Sequence, residues 1–452
     1  MIHESILIRG ATVVSGEATR PQQDVLVKAG KIVEIGERLQ SSADLVLDAR
    51  GLHLIPGVLD PQVHFREPGQ TWKEDLASGS RAAAAGGVTG FFDMPNNQPS
   101  VTTRDTMAAK KALAAEKCVV NYNFFIGATR ENLEELNRVE NVAGIKIFMG
   151  SSTGDLLVSD PRDLETIFAN GNRLIAVHAE NDEIINLKRQ VFADSTDFAD
   201  HMRVRPPEAA LSATSLAVTL AKRYSRRLHI LHLTTADEVA FLRKEKSKGP
   251  ISVEVCPQHF LLHAPEVYER LGSLAQMNPP LRDKAHGDAL WAGLRDGVID
   301  CIATDHAPHT LDEKDQPFGS APSGMPGVET SLPLMLNRVN DGYCSLNDVV
   351  RWMCENPVEL YGATNKGYIK PGYDADLVLI DMAAQRMVTN GSLHTRVNWS
   401  PYNGWRLKGW PVFTFVGGQI VYREGQIIEG LRGSEIRIDD MRNARPSLLN
   451  SA

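Results

Sequence analysis

The stretch that decides the fold is Gly57 to Gly69, which reads G-V-L-D-P-Q-V-H-F-R-E-P-G. An apolar run ends here in Asp60, Gln62, His64 and Arg66. Because side chains alternate between the two faces of a strand, these four polar side chains are expected to share one face. A buried polar group without a partner costs about 1–3 kcal/mol, so a hydrophobic core would not select this set. The stretch is therefore either the solvated end of a hairpin or the polar end of a strand at a functional site.

Size and composition exclude several classes of protein. The 452 residues predict one large and one smaller domain, and the 42% apolar and 23% charged content is typical of a globular protein. The net charge of -8 argues against a nucleic-acid or membrane-surface binder, so an anionic ligand needs local cations. No apolar run is long enough for a transmembrane helix, and the first residues lack a signal-peptide pattern. Five scattered cysteines without C-x-x-C spacing complete the prediction of a cytoplasmic protein with reduced thiols.

The chain divides into β-rich ends and an alternating middle. Residues 1–54 and 365–452 contain short β-rich runs broken by Gly and Pro, which predicts one small β-sandwich domain built from both termini. The middle, 55–364, alternates apolar runs with helical patterns, which predicts an α/β fold, a (β/α)8 TIM barrel. The candidate strands are 55–64, 88–94, 119–125, 144–148, 174–178, 228–232, 251–256 and 298–305. An open doubly wound sheet is the alternative, although no G-x-G-x-x-G follows the early strands. The last dozen residues, 441–452, are predicted to be a loose tail or an oligomer arm.

Polar residues occur at the ends of most candidate strands, where a barrel places its chemistry. They are Gln62, His64 and Arg66 after the first strand, Asp93 to Asn97 after the second, Lys146 in the fourth, His178 in the fifth, His232 in the sixth and Asp305 in the eighth. One histidine at a strand end is more often structural than a ligand. Three histidines, a lysine and an aspartate at separate strand ends favour a metal site, because imidazole and carboxylate are the ligands of a catalytic zinc.

Lys146 leaves three interpretations open. It could form a salt bridge with an acid inside the barrel, or a Schiff base with a substrate. A buried lysine with a lowered pKa can also act as a nucleophile, and capture of carbon dioxide would turn it into a carbamate that bridges two metal ions. The surrounding histidines favour the metal interpretation.

Several motifs together resemble a known family. They are H-F-R-E-P-G at 64–69, M-P-N at 94–96, N-P-P-L-R at 278–282, T-D-H-A-P-H at 304–309, G-M-P-G-V-E-T at 324–330 and K-G-Y-I-K-P-G-Y-D-A-D-L-V at 366–378. The chain resembles the cyclic amidases of the amidohydrolase superfamily, and among them the dihydroorotases most. The resemblance covers nearly the whole chain.

The resemblance implies a function and a set of site residues. It implies a dihydroorotase, a hydrolase that interconverts dihydroorotate and N-carbamoyl-aspartate in pyrimidine biosynthesis. It implies two zinc ions per chain: His64 and Asp305 at one, His178 and His232 at the other, and a carboxylated Lys146 as the bridge. Asp305 is implied as the catalytic acid–base group, and Arg66, Asn96, Asn278 and His309 as the contacts to a small anionic ring substrate. The family also implies a homodimer.

Gln62 departs from the family pattern, which is H-x-H where this chain has Gln-Val-His. An amide oxygen is a weaker and harder ligand than imidazole, so one zinc ion per chain is the alternative to two.

Two rival functions remain open. A dihydropyrimidinase or allantoinase would share the metal site but would not need the carboxylate clamp of Arg66. A catalytically silent dihydroorotase-like subunit, supporting an enzyme such as aspartate transcarbamoylase, has Gln62 as its only support.

Overall fold

A computed structural model describes residues 3–151 and 156–439 of the chain. The predicted tail or arm at 441–452 lies outside the described residues. Among the described helices, none has the length and apolar character that crossing a membrane requires. All five cysteines belong to the described part, and each is a free thiol.

The chain begins with a group of β-strands. They are β1 (Ser5–Val14), β2 (Thr19–Lys28), β3 (Lys31–Gly36), β4 (Leu45–Asp48) and β5 (His53–Pro56). The next eight strands are parallel and hydrogen-bond in chain order. They are β6 (Val58–Val63), β7 (Val88–Asp93), β8 (Asn121–Gly127), β9 (Gly144–Phe148), β10 (Ile175–His178), β11 (Leu228–Ile230), β12 (Ile251–Val255) and β13 (Cys301–Ile302). All eight predicted barrel strands are therefore present.

Helices connect these strands and cover the outside of the sheet. They are α1 (Leu76–Ala85), α2 (Arg104–Lys117), α3 (Leu133–Arg138), α4 (Pro161–Ala169), α5 (Asp182–Val191), α6 (His201–Val204), α7 (Pro207–Arg223), α8 (Ala236–Glu245), α9 (Pro257–Leu261), α10 (Glu266–Leu271), α11 (Lys284–Arg295), α12 (Leu311–Lys314), α13 (Ser331–Asn340), α14 (Leu346–Val350) and α15 (Asn356–Tyr361). A π-helical turn, Arg351–Glu355, joins the last two. Side chains at the N-caps fix where several helices begin: Asp75, Thr103 and Thr235 each accept from the N3 backbone N–H and form a capping box.

The barrel closes between its first and last strands. The backbone N–H of His64 donates to the carbonyl of His306 at 2.7 Å, and Val63 forms a parallel bridge with His306. The carboxylate of Asp60 accepts from the N–H of Thr304 at 3.1 Å. The closed parallel barrel confirms the predicted fold class, and the contacts that close it lie directly beside the candidate site.

Strands from both termini form a second sheet. The chain returns to it with β14 (Leu377–Met387), β15 (Arg406–Val416), β16 (Gln419–Arg423) and β17 (Gln426–Ile427). The nine strands run in the order β17-β16-β15-β14-β5-β1-β2-β3, with β4 paired to β1. The turn at Gly30 meets the turn at Gly417 and Gly418, so the sheet folds back over its own hydrophobic core. The predicted joining of the two chain ends is confirmed.

The two sheets meet at Gly57. The first candidate strand, 55–64, is interrupted here, because His53–Pro56 pairs with β1 and β14 while Val58–Val63 belongs to the barrel. A Cβ atom on Gly57 would lie 2.0 Å from Oγ1 of Thr89, so only glycine allows this close approach. The chain therefore passes from one sheet to the other without a loop.

Candidate metal centre and substrate pocket

A small, polar pocket lies at the C-terminal ends of the barrel strands. Nine of the ten residues predicted for the site line it: Gln62, His64, Arg66, Asn96, Lys146, His178, His232, Asn278 and Asp305. The tenth, His309, lies behind this lining, with its Nε2 3.2 Å from Nη2 of Arg66. The fold thus brings together residues that are spread over some 250 positions of the sequence.

His178 and His232 face each other across the pocket. Nδ1 of His178 lies 3.0 Å from Nε2 of His232, and both rings are buried. Nε2 of His178 donates to Glu180 at 2.9 Å, which leaves a lone pair on Nδ1. Glu180 is held in turn by Arg205. Burial lowers the pKa of both histidines, so the rings are neutral and can act as ligands.

Lys146 is fully buried, and its Nζ has no hydrogen-bond partner among the described residues. The amine lies 4.4 Å above the ring of Phe148. Burial lowers the pKa of Lys146 to about 7, because the charged form loses its hydration. The interpretation of Lys146 as one half of a salt bridge is therefore wrong: no acid among the described residues pairs with it.

The carboxylate of Asp305 lies between Gln62 and His64. Nε2 of Gln62 donates to Oδ1 of Asp305 at 3.1 Å, and Nε2 of His64 lies 3.1 Å from the same oxygen. Nδ1 of His64 donates to Oδ1 of Asn96 at 2.7 Å, so Nε2 turns its lone pair toward the carboxylate. Two acceptor atoms at this distance repel each other unless a cation or a proton lies between them.

Arg66 supplies the positive charge of the pocket. Its side chain is buried, its Nε donates to the carbonyl of Pro308 at 3.1 Å, and His309 fixes Nη2. Burial lowers the pKa of Arg66 to about 10, which still leaves the guanidinium charged at neutral pH. No described residue accepts a hydrogen bond from Nη1, so this nitrogen is available to donate to a ligand.

Asn278 forms the opposite part of the lining, and His201 fixes its orientation. Nε2 of His201 lies 3.0 Å from Oδ1 of Asn278 and 2.9 Å from the carbonyl of Met277. Burial lowers the pKa of His201 to about 4, so the neutral ring donates from Nε2. The amide nitrogen of Asn278 is thereby left for the pocket.

The segment from His306 to Gly327 is rich in Gly, Pro, Ser and charged residues, a composition that predicts a lid. It forms one wall of the pocket through Ala307, Ser323 and Gly324. His306 accepts the backbone N–H of Gly327 at its Nδ1, at 3.0 Å. The buried Lys314 donates to the carbonyls of Gln276, Pro322 and Gly324 at 2.8–3.1 Å. These contacts fix the wall, and its movement as a lid stays a prediction.

Comparison with known proteins places the chain in a family. Residues 53–421 match the model of the amidohydrolase family. The chain belongs to the amidohydrolase family. It is 36% identical over 436 residues to a protein of Methanosarcina acetivorans named dihydroorotase, with 93% of each chain covered. It is 33% identical over 447 residues to a Deinococcus radiodurans protein named allantoinase, covering 96% of this chain and 98% of the relative. Among solved structures, the L-hydantoinase (dihydropyrimidinase) of Arthrobacter aurescens superposes with a TM-score of 0.92 at 30% identity, covering 96% of this chain and 99% of the other.

The donors of this amidohydrolase fit a metal centre. Among the described residues, three buried polar atoms of the site lack a hydrogen-bond partner: Nζ of Lys146, Oε1 of Gln62 and Nδ1 of His232. In addition, two acceptor atoms face each other at 3.1 Å, Nε2 of His64 and Oδ1 of Asp305. Buried donors and acceptors are normally satisfied, so the chemistry of this cluster fits the binding of a cation.

A second group of possible ligands lies nearby but is already satisfied. His229, Glu254 and Cys301 are buried together in the barrel interior. The His229 ring lies 2.8 Å from Oγ of Ser252 and 3.0 Å from Oε2 of Glu254, so both of its nitrogens are used. Burial raises the pKa of Cys301 and of Glu254 well above their usual values, which keeps both protonated. Because the hydrogen bonds of His229 are already made within this group, we interpret the group as structural.

Sequence reasoning missed the residues that orient the amidohydrolase site. Glu180 follows His178 by two residues, and strand alternation could have revealed it. His201 and Arg205 carried no sequence signal, because each reaches its partner only through the fold. Lys314 was not singled out, since a lysine on a four-residue helix reads as solvated until its burial is known.

Proposed function

We propose that this amidohydrolase is a metal-dependent dihydroorotase, which reversibly hydrolyses the cyclic amide of dihydroorotate to N-carbamoyl-aspartate in pyrimidine biosynthesis. The observation that carries the proposal is the buried guanidinium of Arg66, which lines the pocket and is fixed there by the carbonyl of Pro308. Dihydroorotate differs from dihydropyrimidine and hydantoin rings by its ring carboxylate, and a guanidinium binds a carboxylate in a two-pronged, charge-assisted pair. Similarity to proteins named dihydroorotase supports the same reaction.

The metal of the proposed enzyme is zinc. His178, His232 and Lys146 would hold it on one side of the pocket, with Lys146 carboxylated, and His64 and Asp305 on the other. The bound metal would supply Lewis acidity and lower the pKa of water from about 15.7 towards about 7. Neutral imidazoles and carboxylate oxygens suit zinc.

Asp305 moves the proton in the proposed mechanism. Gln62 donates to its Oδ1, which leaves Oδ2 for the reacting groups. Water adds to the ring carbonyl carbon, and Asp305 accepts the proton that the water loses. The C–N bond of the ring then breaks, and Asp305 returns the proton to the leaving nitrogen. Ring closure follows the same steps in reverse.

The remaining predicted residues would position the substrate. Arg66 binds the carboxylate, and His309 keeps the guanidinium in place from behind. Asn278 would turn its amide nitrogen to the substrate, because His201 engages its oxygen. Asn96, whose oxygen accepts from His64, would be a further contact. An acidic protein can in this way bind an anionic ring through local contacts.

The test is turnover of dihydroorotate by zinc-loaded protein, together with an Arg66→Ala variant. We expect the variant to lose about 10- to 100-fold in kcat/KM, since a charge-assisted pair is worth about 1.5–3 kcal/mol. Its zinc content should equal that of the wild type. Loss of zinc would contradict the role of Arg66 as a substrate clamp.

A related cyclic amidase is the second candidate, favoured by the similarity to an allantoinase and to hydantoinase structures. Allantoin, dihydrouracil and hydantoin should be poor substrates for the wild type. Preferential turnover of any of these rings would favour the second candidate. Absence of both turnover and bound metal would favour the silent subunit. The homodimer and the cytoplasmic location stay predictions.

A further inference from the structure

Gln62 stands where the family pattern has a histidine, and its side chain is buried and anchored. Only 1% of the residue is exposed. Its amide nitrogen donates to Oδ1 of Asp305 at 3.1 Å. The negative charge of Asp305 fixes the orientation of the amide, because the opposite rotamer would bring Oε1 against the carboxylate oxygen.

Oε1 of Gln62 is therefore the amide atom that is not bonded to Asp305, and no described residue donates a hydrogen bond to it. A buried carbonyl oxygen without a donor costs about 1–3 kcal/mol. The residue lines the same pocket as His64, whose Nε2 lone pair faces Asp305. A lone pair on Gln62, a lone pair on His64 and the carboxylate of Asp305 together form a donor set for a cation.

We propose that Gln62 is a metal ligand through Oε1, and that it completes a first metal position with His64 and Asp305. The second position is formed by His178, His232 and Lys146, and the inference rests on the metal centre of the proposed function. The two positions differ in chemistry, because the first has one imidazole and an amide oxygen where the second has two imidazoles. Zinc is held less tightly at the first position, so the two ions leave in two separate steps.

The experiment counts zinc per chain in the full-length protein by plasma mass spectrometry during dialysis against chelators of increasing strength. For the wild type we expect two ions, one lost well before the other. Gln62→Met keeps the length of the side chain but has no amide oxygen, so it should bind the first ion more than about tenfold more weakly. Gln62→Glu keeps an oxygen ligand but cannot donate to Asp305, so it should retain both ions.

Each outcome decides the proposal. Retention of both ions by Gln62→Met, with the chelator profile of the wild type, would overturn it. Loss of the first ion from both variants would show that only the hydrogen bond to Asp305 matters, which also overturns it. If the wild type binds one zinc ion per chain, the first metal position is excluded and the second is retained. If it binds no zinc, the metal centre of the proposed function is excluded as well. Dihydroorotate turnover is measured separately, and melting curves verify that both variants are folded.

Discussion

At the scale of residues, three side chains of the pocket sit on left-handed backbone. The φ angles are 62° at Arg66, 37° at His232 and 49° at Asp305. Residues other than glycine rarely adopt these angles, which cost about 1–3 kcal/mol and persist only where surrounding structure enforces them. At all three positions the strand has just ended, so the turn directs the side chain into the pocket. The strained backbone at these positions lowers local stability but orients the functional groups.

Lys146 provides a pH-dependent prediction at this scale. Only the neutral amine can capture carbon dioxide, and burial lowers its pKa to about 7, so the neutral fraction rises with pH through that value. We expect zinc uptake by metal-stripped protein to depend on bicarbonate. Uptake should be about tenfold faster at about pH 8 than at about pH 6, which is the ratio of the neutral amine fractions.

The matched control for this prediction is Lys146→Met, which fills the same space without an amine. Carbon-13 NMR with labelled bicarbonate should show a carbamate signal in the wild type and none in the variant. Uptake that ignores bicarbonate, or a carbamate signal that persists in Lys146→Met, would show that the lysine is not carboxylated.

At the scale of elements, the position of the strand ends decides where the chemistry lies. The eighth candidate strand, 298–305, is reduced to Cys301–Ile302. Val298 and Ile299 instead hydrogen-bond back to Gly293 in α11, and the backbone turns at Asp305. The short strand leaves Thr304 free to bind Asp60 and places the carboxylate of Asp305, the proposed acid–base group, at the rim of the barrel.

The pocket wall from His306 to Gly327 depends on Lys314, which allows a test by mutation. Lys314 joins three backbone carbonyls next to Ser323 and Gly324, although burial lowers its pKa to about 7. Lys314→Met removes these hydrogen bonds and loosens the wall without touching the metal donors. We expect KM for dihydroorotate to rise by about tenfold, equal to about 1.4 kcal/mol of lost binding, with zinc content unchanged.

Steady-state kinetics and zinc analysis check this prediction. Lys188→Met, on the exposed face of α5, is the matched control and should leave KM unchanged. A drop in kcat together with loss of zinc in Lys314→Met would contradict a role confined to the substrate wall. An unchanged KM would show that the wall is held by its other contacts.

At the scale of the whole molecule, Asp376 joins the two sheets. Its Oδ2 accepts from Lys366 at 2.6 Å and from Asn121 of barrel strand β8 at 2.9 Å. Its Oδ1 accepts the backbone N–H of Gly417 at 2.7 Å, in the turn between β15 and β16. Because the residue is 6% exposed, these contacts are protected from water and couple the terminal sheet to the barrel.

Removal of this carboxylate should destabilise both parts together. We expect Asp376→Ala to lower the free energy of unfolding by about 3 kcal/mol, because the largely buried ammonium of Lys366 loses this carboxylate as a partner. Urea denaturation followed by tryptophan fluorescence and by far-UV circular dichroism measures the effect. Glu37→Ala, at an exposed loop, is the control and should change little. Separate transitions of the two probes in the wild type would contradict the coupling.

The sequence by itself determined the fold class and most of the candidate site. Eight apolar runs separated by helical patterns predicted the barrel, because periodicity reports which face of each element is buried. Polar residues at the ends of those runs, such as His178 and Asp305, could be assigned because a parallel barrel collects its strand ends at one rim. The Gln-Val-His departure was also visible in the sequence alone.

Only the tertiary structure decided how these groups are oriented. That Lys146 has no acid partner, that Gln62 turns its nitrogen to Asp305, and that His201 fixes Asn278 depend on contacts between residues far apart in the chain. Local propensity and periodicity describe neighbours in sequence, whereas hydrogen-bond direction and burial arise from the packing of separate strands. The candidate ligands could be predicted from the sequence, whereas their geometry follows from the closed barrel.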